Sequence, residues 1–199
     1  MSAPYSCLNI IKSFAKDLRS TDSIKLSEAQ EAISRRAGFA SFHELIAISK
    51  RNPMEKRLMA EALGVSDLKE VVYENDVLSE LETILESDLS GEIASTNACC
   101  FTIEDLEVID ASYDDSIGQA NLHVAFAWQG EQDPDRPYSG TTFYIEGVLV
   151  LMRRNREWSI AREDGFVITS FESDQDRDYE AERKYEEQEY LRLQEQGAI

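Results

Sequence analysis

His43 and His123 are the only histidines in this chain of 199 residues, and Cys7, Cys99 and Cys100 its only cysteines. Nucleophilic catalysis needs a Ser or Cys beside a base that can take its proton, so those few side chains bound what such chemistry could use. His123 alternates with Leu122, Val124 and Phe126, which places it on the opposite face of a strand, away from the apolar side chains. Cys99 and Cys100 open a strand signal and are expected to act as small hydrophobes. Metal binding fares no better. Asp174, Asp176 and Asp178 have the alternate-acid spacing of a calcium loop, but Tyr179 stands where the turn needs Gly, and Tyr185 where the loop needs Glu. Acid pairs such as Glu104-Asp105 and Asp114-Asp115 say little among 39 Asp and Glu residues. There is no Gly-rich phosphate loop and no dinucleotide fingerprint. The expectation is a chain with no catalytic residue, no metal ligand and no cofactor.

Charge is more informative. The first 66 residues carry ten Lys+Arg against seven Asp+Glu, a net of +3; the other 133 carry ten against thirty-two, a net of −22. A field of that sign speeds encounter with a positively charged surface, so a basic protein partner is expected. The polar segment 130–140 offers Glu131, Asp133 and Asp135 for it, with Tyr138 as an aromatic anchor. The positive stretch suggests a rival, nucleic acid held by phosphate contacts from Arg35, Arg36, Lys50 and Arg51. Against the rival, the helix expected after residue 41 begins Phe42-His43-Glu44, whereas base edges are read by Arg, Lys, Asn or Gln in that turn. A third reading places a small molecule over Phe126, Trp128, Phe143 and Trp158 on a curved sheet. No run approaches the ~20 apolar residues of a membrane span. The start, Met1 to Cys7, lacks the basic and apolar regions of a signal peptide. An odd number of cysteines fits reduced thiols and a cytoplasmic setting.

These residues need elements to position them. Leu8, Ile11, Ala15 and Leu18 form a helical stripe that ends at the polar run 20–23. Ser27 with Gln30 and Ser41 with Glu44 read as capping boxes, Gly38 as a left-handed cap, and Pro53 as a first helical residue. That gives four helices over about 5–63, with Leu8, Ile11, Phe14, Leu18, Ile33, Phe39, Phe42, Leu45, Ile48 and Leu58 as core. Ser66 is expected to cap one long helix to about residue 89, closed by Gly91. The period then becomes two: a bulged strand around Phe101–Val108, then strands around Leu122–Trp128, Phe143–Leu151, Trp158–Ile160 and Phe166–Ile168, with turns at Arg154-Asn155 and Asp164-Gly165. Residues 172–199, with ten acids, four bases and few aliphatics beyond Leu191, Leu193 and Ile199, read as an exposed helix or a disordered tail.

The run from Lys12 to Arg19, then Leu26-Ser27-Glu28-Ala29-Gln30, then Gly38-Phe39 with Phe42-His43-Glu44-Leu45, resembles a small helical module at the N-terminus of certain bacterial glyoxalase-superfamily-related and plasmid or accessory proteins. It covers about residues 8–50 and implies no catalysis; the metal domain of that superfamily needs several His and Glu ligands, and only His123 follows residue 50. The Gly38-Phe39 turn is also similar to helix-turn-helix regulators of the AraC type. The later order, one helix and about five antiparallel strands, resembles cystatin-like or NTF2-like sheets. The expected protein is therefore α+β: a helical module at 1–64, an acidic domain at 66–171 and a tail at 172–199. Its expected role is non-enzymatic protein binding of a regulatory, inhibitor or immunity type. The alternatives are a DNA-binding regulator and a small-molecule-binding or enzymatic NTF2-like domain.

Overall fold

A computed structural model of the chain describes residues 3–74, 76–154 and 156–195, with side chains up to 192. Asn155 of the expected turn and Ile199 lie outside the described residues, as does the side chain of Leu193. The chain is α+β: N-terminal helices, an antiparallel sheet, and a C-terminal helix.

Four helices open it: α1 (Cys7–Asp22), α2 (Leu26–Arg36), α3 (Phe42–Arg51) and α4 (Lys56–Leu63). Ile11, Ala15, Ile33, Phe39, Leu45 and Leu58 are buried, while Leu8, Phe14, Leu18, Phe42 and Ile48 are half-buried. Gly38 ends α2 at φ +82°. Its N–H donates to Arg35 O and that of Phe39 to Ser34 O, the paired bonds of a Schellman cap. Three capping expectations are corrected. Helix α2 starts before Ser27, with Glu28 reaching back to the Lys25 N–H at 3.4 Å. At α3 the Ser41 hydroxyl accepts from the Glu44 N–H, but Glu44 takes the Ala40 N–H instead of that of Ser41. At α4 the cap is Glu55, whose carboxylate accepts the N–H groups of Arg57 and Leu58, so Pro53 precedes the helix instead of opening it.

The long helix expected from Ser66 is also corrected. Asp67 caps a short 3-10 turn (Leu68–Tyr73), and Glu74 is extended. Helix α5 (Val77–Asp88) then carries buried Val77, Leu81 and Leu85 at every fourth residue, and α6 (Ser90–Ser95) follows.

The strands are β1 (Ala98–Asp114), β2 (Gln119–Gln132), β3 (Thr142–Arg154), β4 (Glu157–Ile160) and β5 (Phe166–Ser173). They form one sheet in the order β1-β2-β3-β4, with β5 also paired to β3. The β3–β4 register sets Leu151 against Ile160 and Arg153 against Trp158. Because β4 and β5 share β3 as neighbour, Asp164-Gly165 links them without closing a hairpin between them. Cys100 and Asp105 have φ of +54° and +53° within β1, in keeping with its expected irregularity. Helix α7 (Asp174–Glu195) completes the chain.

Two compact units share these elements: residues 1–80, 108–123 and 149–166 in the first, 81–107, 124–148 and 167–199 in the second. The boundary expected at 64–66 falls inside the first. There the last carbonyls of α4, which no helical N–H can reach, accept from the sheet: Trp158 Nε1 donates to Leu63 O at 3.0 Å and Arg153 Nη2 to Ala62 O at 3.2 Å. The Tyr113 hydroxyl donates to Tyr5 O at 2.9 Å. Gly118 must lack a side chain, since a Cβ there would lie 2.7 Å from the Tyr5 ring. In the second unit Phe101 stacks on Trp128 and on Phe143, and Phe143 on Phe171, with centroids 5.9, 5.7 and 5.3 Å apart.

Candidate functional site

Strand alternation sorts the second unit's residues. Phe126 and Trp128 on β2, with Phe143 and Ile145 on β3, are buried. The residues between them, Ala125 and Ala127 on β2 and Tyr144 and Glu146 on β3, emerge on the other face. There, with Asp105 and Glu107 of β1, Ser170 and Glu172 of β5 and Arg177 of α7, they line a cleft of about 400 Å³.

Its electrostatics are one-sided. Arg177 is the one cation among the lining residues, and it is already engaged: its guanidinium carbon stands 3.3 Å from the centroid of the Tyr144 ring, and its Nε donates to Glu172 Oε2 at 3.0 Å. Asp105, Glu107 and Glu146 are exposed and have no ion-pair partner among the described residues. The setting is acidic as a whole. The second unit holds twenty-one Asp+Glu against five Lys+Arg, a net of −16, while the first holds eighteen against fifteen, a net of −3. The cleft offers three exposed carboxylates with no ion-pair partner among the described residues, which suits Arg or Lys side chains.

The residues nominated from sequence fall elsewhere. Glu131 is the next-to-last residue of β2, and Asp133, Asp135 and Tyr138 follow the strand. Asp133 pairs with Arg136 at 3.3 Å and accepts the Asp135 N–H. The Tyr138 hydroxyl donates to Asp174, whose carboxylate also accepts the Thr141 N–H at 2.9 Å. Burial would raise the Asp174 carboxyl, but the bonds from Tyr138, Thr141 and Gln175 outweigh it and hold it below the ordinary range. Asp176 answers the Ser173 N–H and hydroxyl, so the spaced acids close the N-terminus of α7. No group of three or more metal-ligating side chains occurs among the described residues.

Of the basic residues, Arg36 is ion-paired with Glu61, while Arg35, Lys50 and Arg51 are exposed in the last turns of α2 and α3. Two of the thiols are held toward their protonated form. Burial lifts Cys7 to about 11. The hydrogen bond to Cys100, with the charges of Glu131 and Asp133, raises Cys99. Phe126, Trp128, Phe143 and Trp158 are all buried, and Trp158 belongs to the first unit. No described helix is long and apolar enough to cross a membrane.

Sequence reasoning missed the cleft. Tyr144 and Glu146 were visible as the outward half of the β3 alternation, but nothing local pairs them with Asp105, Glu172 or Arg177. Compared with protein families, with curated proteins and with solved structures, the chain matches nothing.

Proposed function

We propose that this protein acts by binding, without catalysis, and that its second unit takes a basic segment of a partner protein in the cleft of β1, β2, β3 and β5. The observation that carries this reading is the set of three exposed carboxylates, Asp105, Glu107 and Glu146, with no ion-pair partner among the described residues. An arginine of the partner would add charge-assisted hydrogen bonds there, and the surrounding −16 would speed its approach. A regulatory or inhibitory role suits a chain of this kind.

The cleft is favoured over Glu131, Asp133 and Asp135 because Asp133 is already held by Arg136 and the Asp135 N–H. The test is titration of the full chain with an Arg-rich peptide. Glu146→Lys with Asp105→Lys should weaken binding at least tenfold, and Glu131→Lys with Asp135→Lys should change it less than threefold, since exposed charges outside the interface act chiefly on encounter. The reverse order moves the site to the 131–138 segment. Equal, small effects from both pairs reduce the attraction to net charge alone.

A further inference from the structure

A second cleft, of about 430 Å³, lies wholly within the first unit, where α1 and the segment before it meet the end of β3 and Arg156 just before β4. Tyr5, Ser13, Phe14, Arg153 and Arg156 are among its lining residues. It is different in kind from the acidic cleft: two guanidiniums, two aromatic rings and one acid, Asp17.

Arg153 is the informative residue. It is 8% exposed, and a charge that deep is ordinarily paired. Among the described residues no carboxylate lies within ion-pair distance of it. Its side chain makes one hydrogen bond, from Nη2 to Ala62 O at the end of α4, and faces the Trp158 ring at 5.4 Å. A helix C-terminus supplies roughly half an elementary charge at most. Among the described residues Nε and Nη1 have no acceptor, and neither is one of the fully buried polar atoms left without a partner, so both stay open to solvent at the cleft. Burial accordingly pulls its pKa below the ordinary guanidinium value, with Tyr113, Glu74 and Glu157 opposing that pull from a distance.

Arg156 is held differently. Its guanidinium carbon lies 4.1 Å from the centroid of Phe14, and Nη2 donates to Asp17 Oδ2 at 3.3 Å. Two cations and one carboxylate leave the cleft with room for one negative charge. Asp17 opposes a second.

The apolar part of a ligand would meet Tyr5 and Phe14. Tyr5 is fixed in place: its N–H donates to Asp115 O at 2.9 Å, its carbonyl accepts from Tyr113, and its ring rests on Gly118. A pre-formed aromatic wall beside an under-paired guanidinium is the usual build of a site for a small amphipathic anion. We infer that this cleft binds an aromatic monocarboxylate, its carboxylate on Arg153 and Arg156 and its ring against Tyr5 and Phe14. The inference is independent of the acidic cleft and of the protein partner proposed for it.

The test uses the full chain and three probes of one shape: 2-naphthoate, the neutral 2-naphthamide and the cationic 2-naphthylmethylamine. Binding is followed by calorimetry, and the site by amide chemical shifts. We expect one molecule of 2-naphthoate per chain, with shifts at residues 5–17 and 153–156. The amide should bind about tenfold more weakly, the loss of one charge-assisted pair, and the amine not measurably. Arg156→Gln, at an exposed side chain that leaves Arg153 in place, should weaken naphthoate several-fold and leave the amide unchanged. Arg153→Lys, checked by circular dichroism, should weaken naphthoate more, because an ammonium cannot make the bidentate contact. No binding at millimolar naphthoate, equal binding of acid and amide, indifference to Arg156→Gln, or shifts outside the cleft would each overturn the assignment.

Discussion

Asp174 gathers the Tyr138 hydroxyl, the Thr141 N–H and the Gln175 N–H onto one carboxylate. Together these bonds tie the segment after β2 to the first turn of α7. They also hold the carboxyl below its ordinary value of about 3.9. Ionised Asp174 therefore adds stability that is fully present above that value and is lost as pH falls through the lowered folded one. The Thr141 amide should stay protected from hydrogen exchange near neutrality and lose protection only in acid below the ordinary carboxylate range, as Asp174 takes up its proton. Asp174→Asn should expose it at neutral pH and remove the acid dependence. Protection of Thr141 that ignores both acid and the substitution would mean that the backbone alone holds this segment. None of this was legible beforehand. The spaced acids at 174, 176 and 178 suggested a metal loop to be weighed, whereas their partners, Tyr138 and Ser173, could be identified only once the chain had folded.

At the scale of elements, much was legible where one segment determines its own form. Gly38 stops α2 because its backbone takes a left-handed conformation, and the alternation in β2 and β3 follows from which side chains are apolar. Elements that depend on distant partners were not. The stretch 66–89 carries enough apolar residues for one helix, yet Asp67 caps a 3-10 turn and Glu74 breaks the run before α5. The end of α4 is the clearest case: its carbonyls are answered by Trp158 and Arg153, more than ninety residues later. Trp158→Phe keeps most of the apolar contact and removes the donor, leaving Leu63 O buried without it. The expected loss is about 1–3 kcal/mol of unfolding free energy, measured by denaturant titration. A loss below about 0.5 kcal/mol would show that water or a rearranged side chain answers the carbonyl as well.

At the scale of the whole molecule, charge and compactness divide the chain differently from its linear order. The break read at residue 66 becomes −3 and −16 once each unit is taken as the structure assembles it. The acidic excess is visible in the sequence but the interleaving is not, since four strands contribute residues to both units. A fragment of residues 66–199 would lack α1–α4, and with them the acceptors of Trp158 and Arg153 and the whole N-terminal wall of the first unit. Its Trp158 should become solvent-exposed, with red-shifted tryptophan emission and a shallower unfolding transition than the full chain. A fragment with native-like emission and a sharp transition would support the boundary at 64–66. The proposed function rests on the acidic cleft, and the measurement that tests it most directly is an amide chemical-shift map of the full chain during titration with an Arg-rich peptide. Saturable shifts are expected at residues 105–107, 125–127, 144–146 and 170–177, weakening as salt is raised. Saturable shifts confined to 131–138, or spread without focus over the exposed acids of α7, would contradict the proposed function.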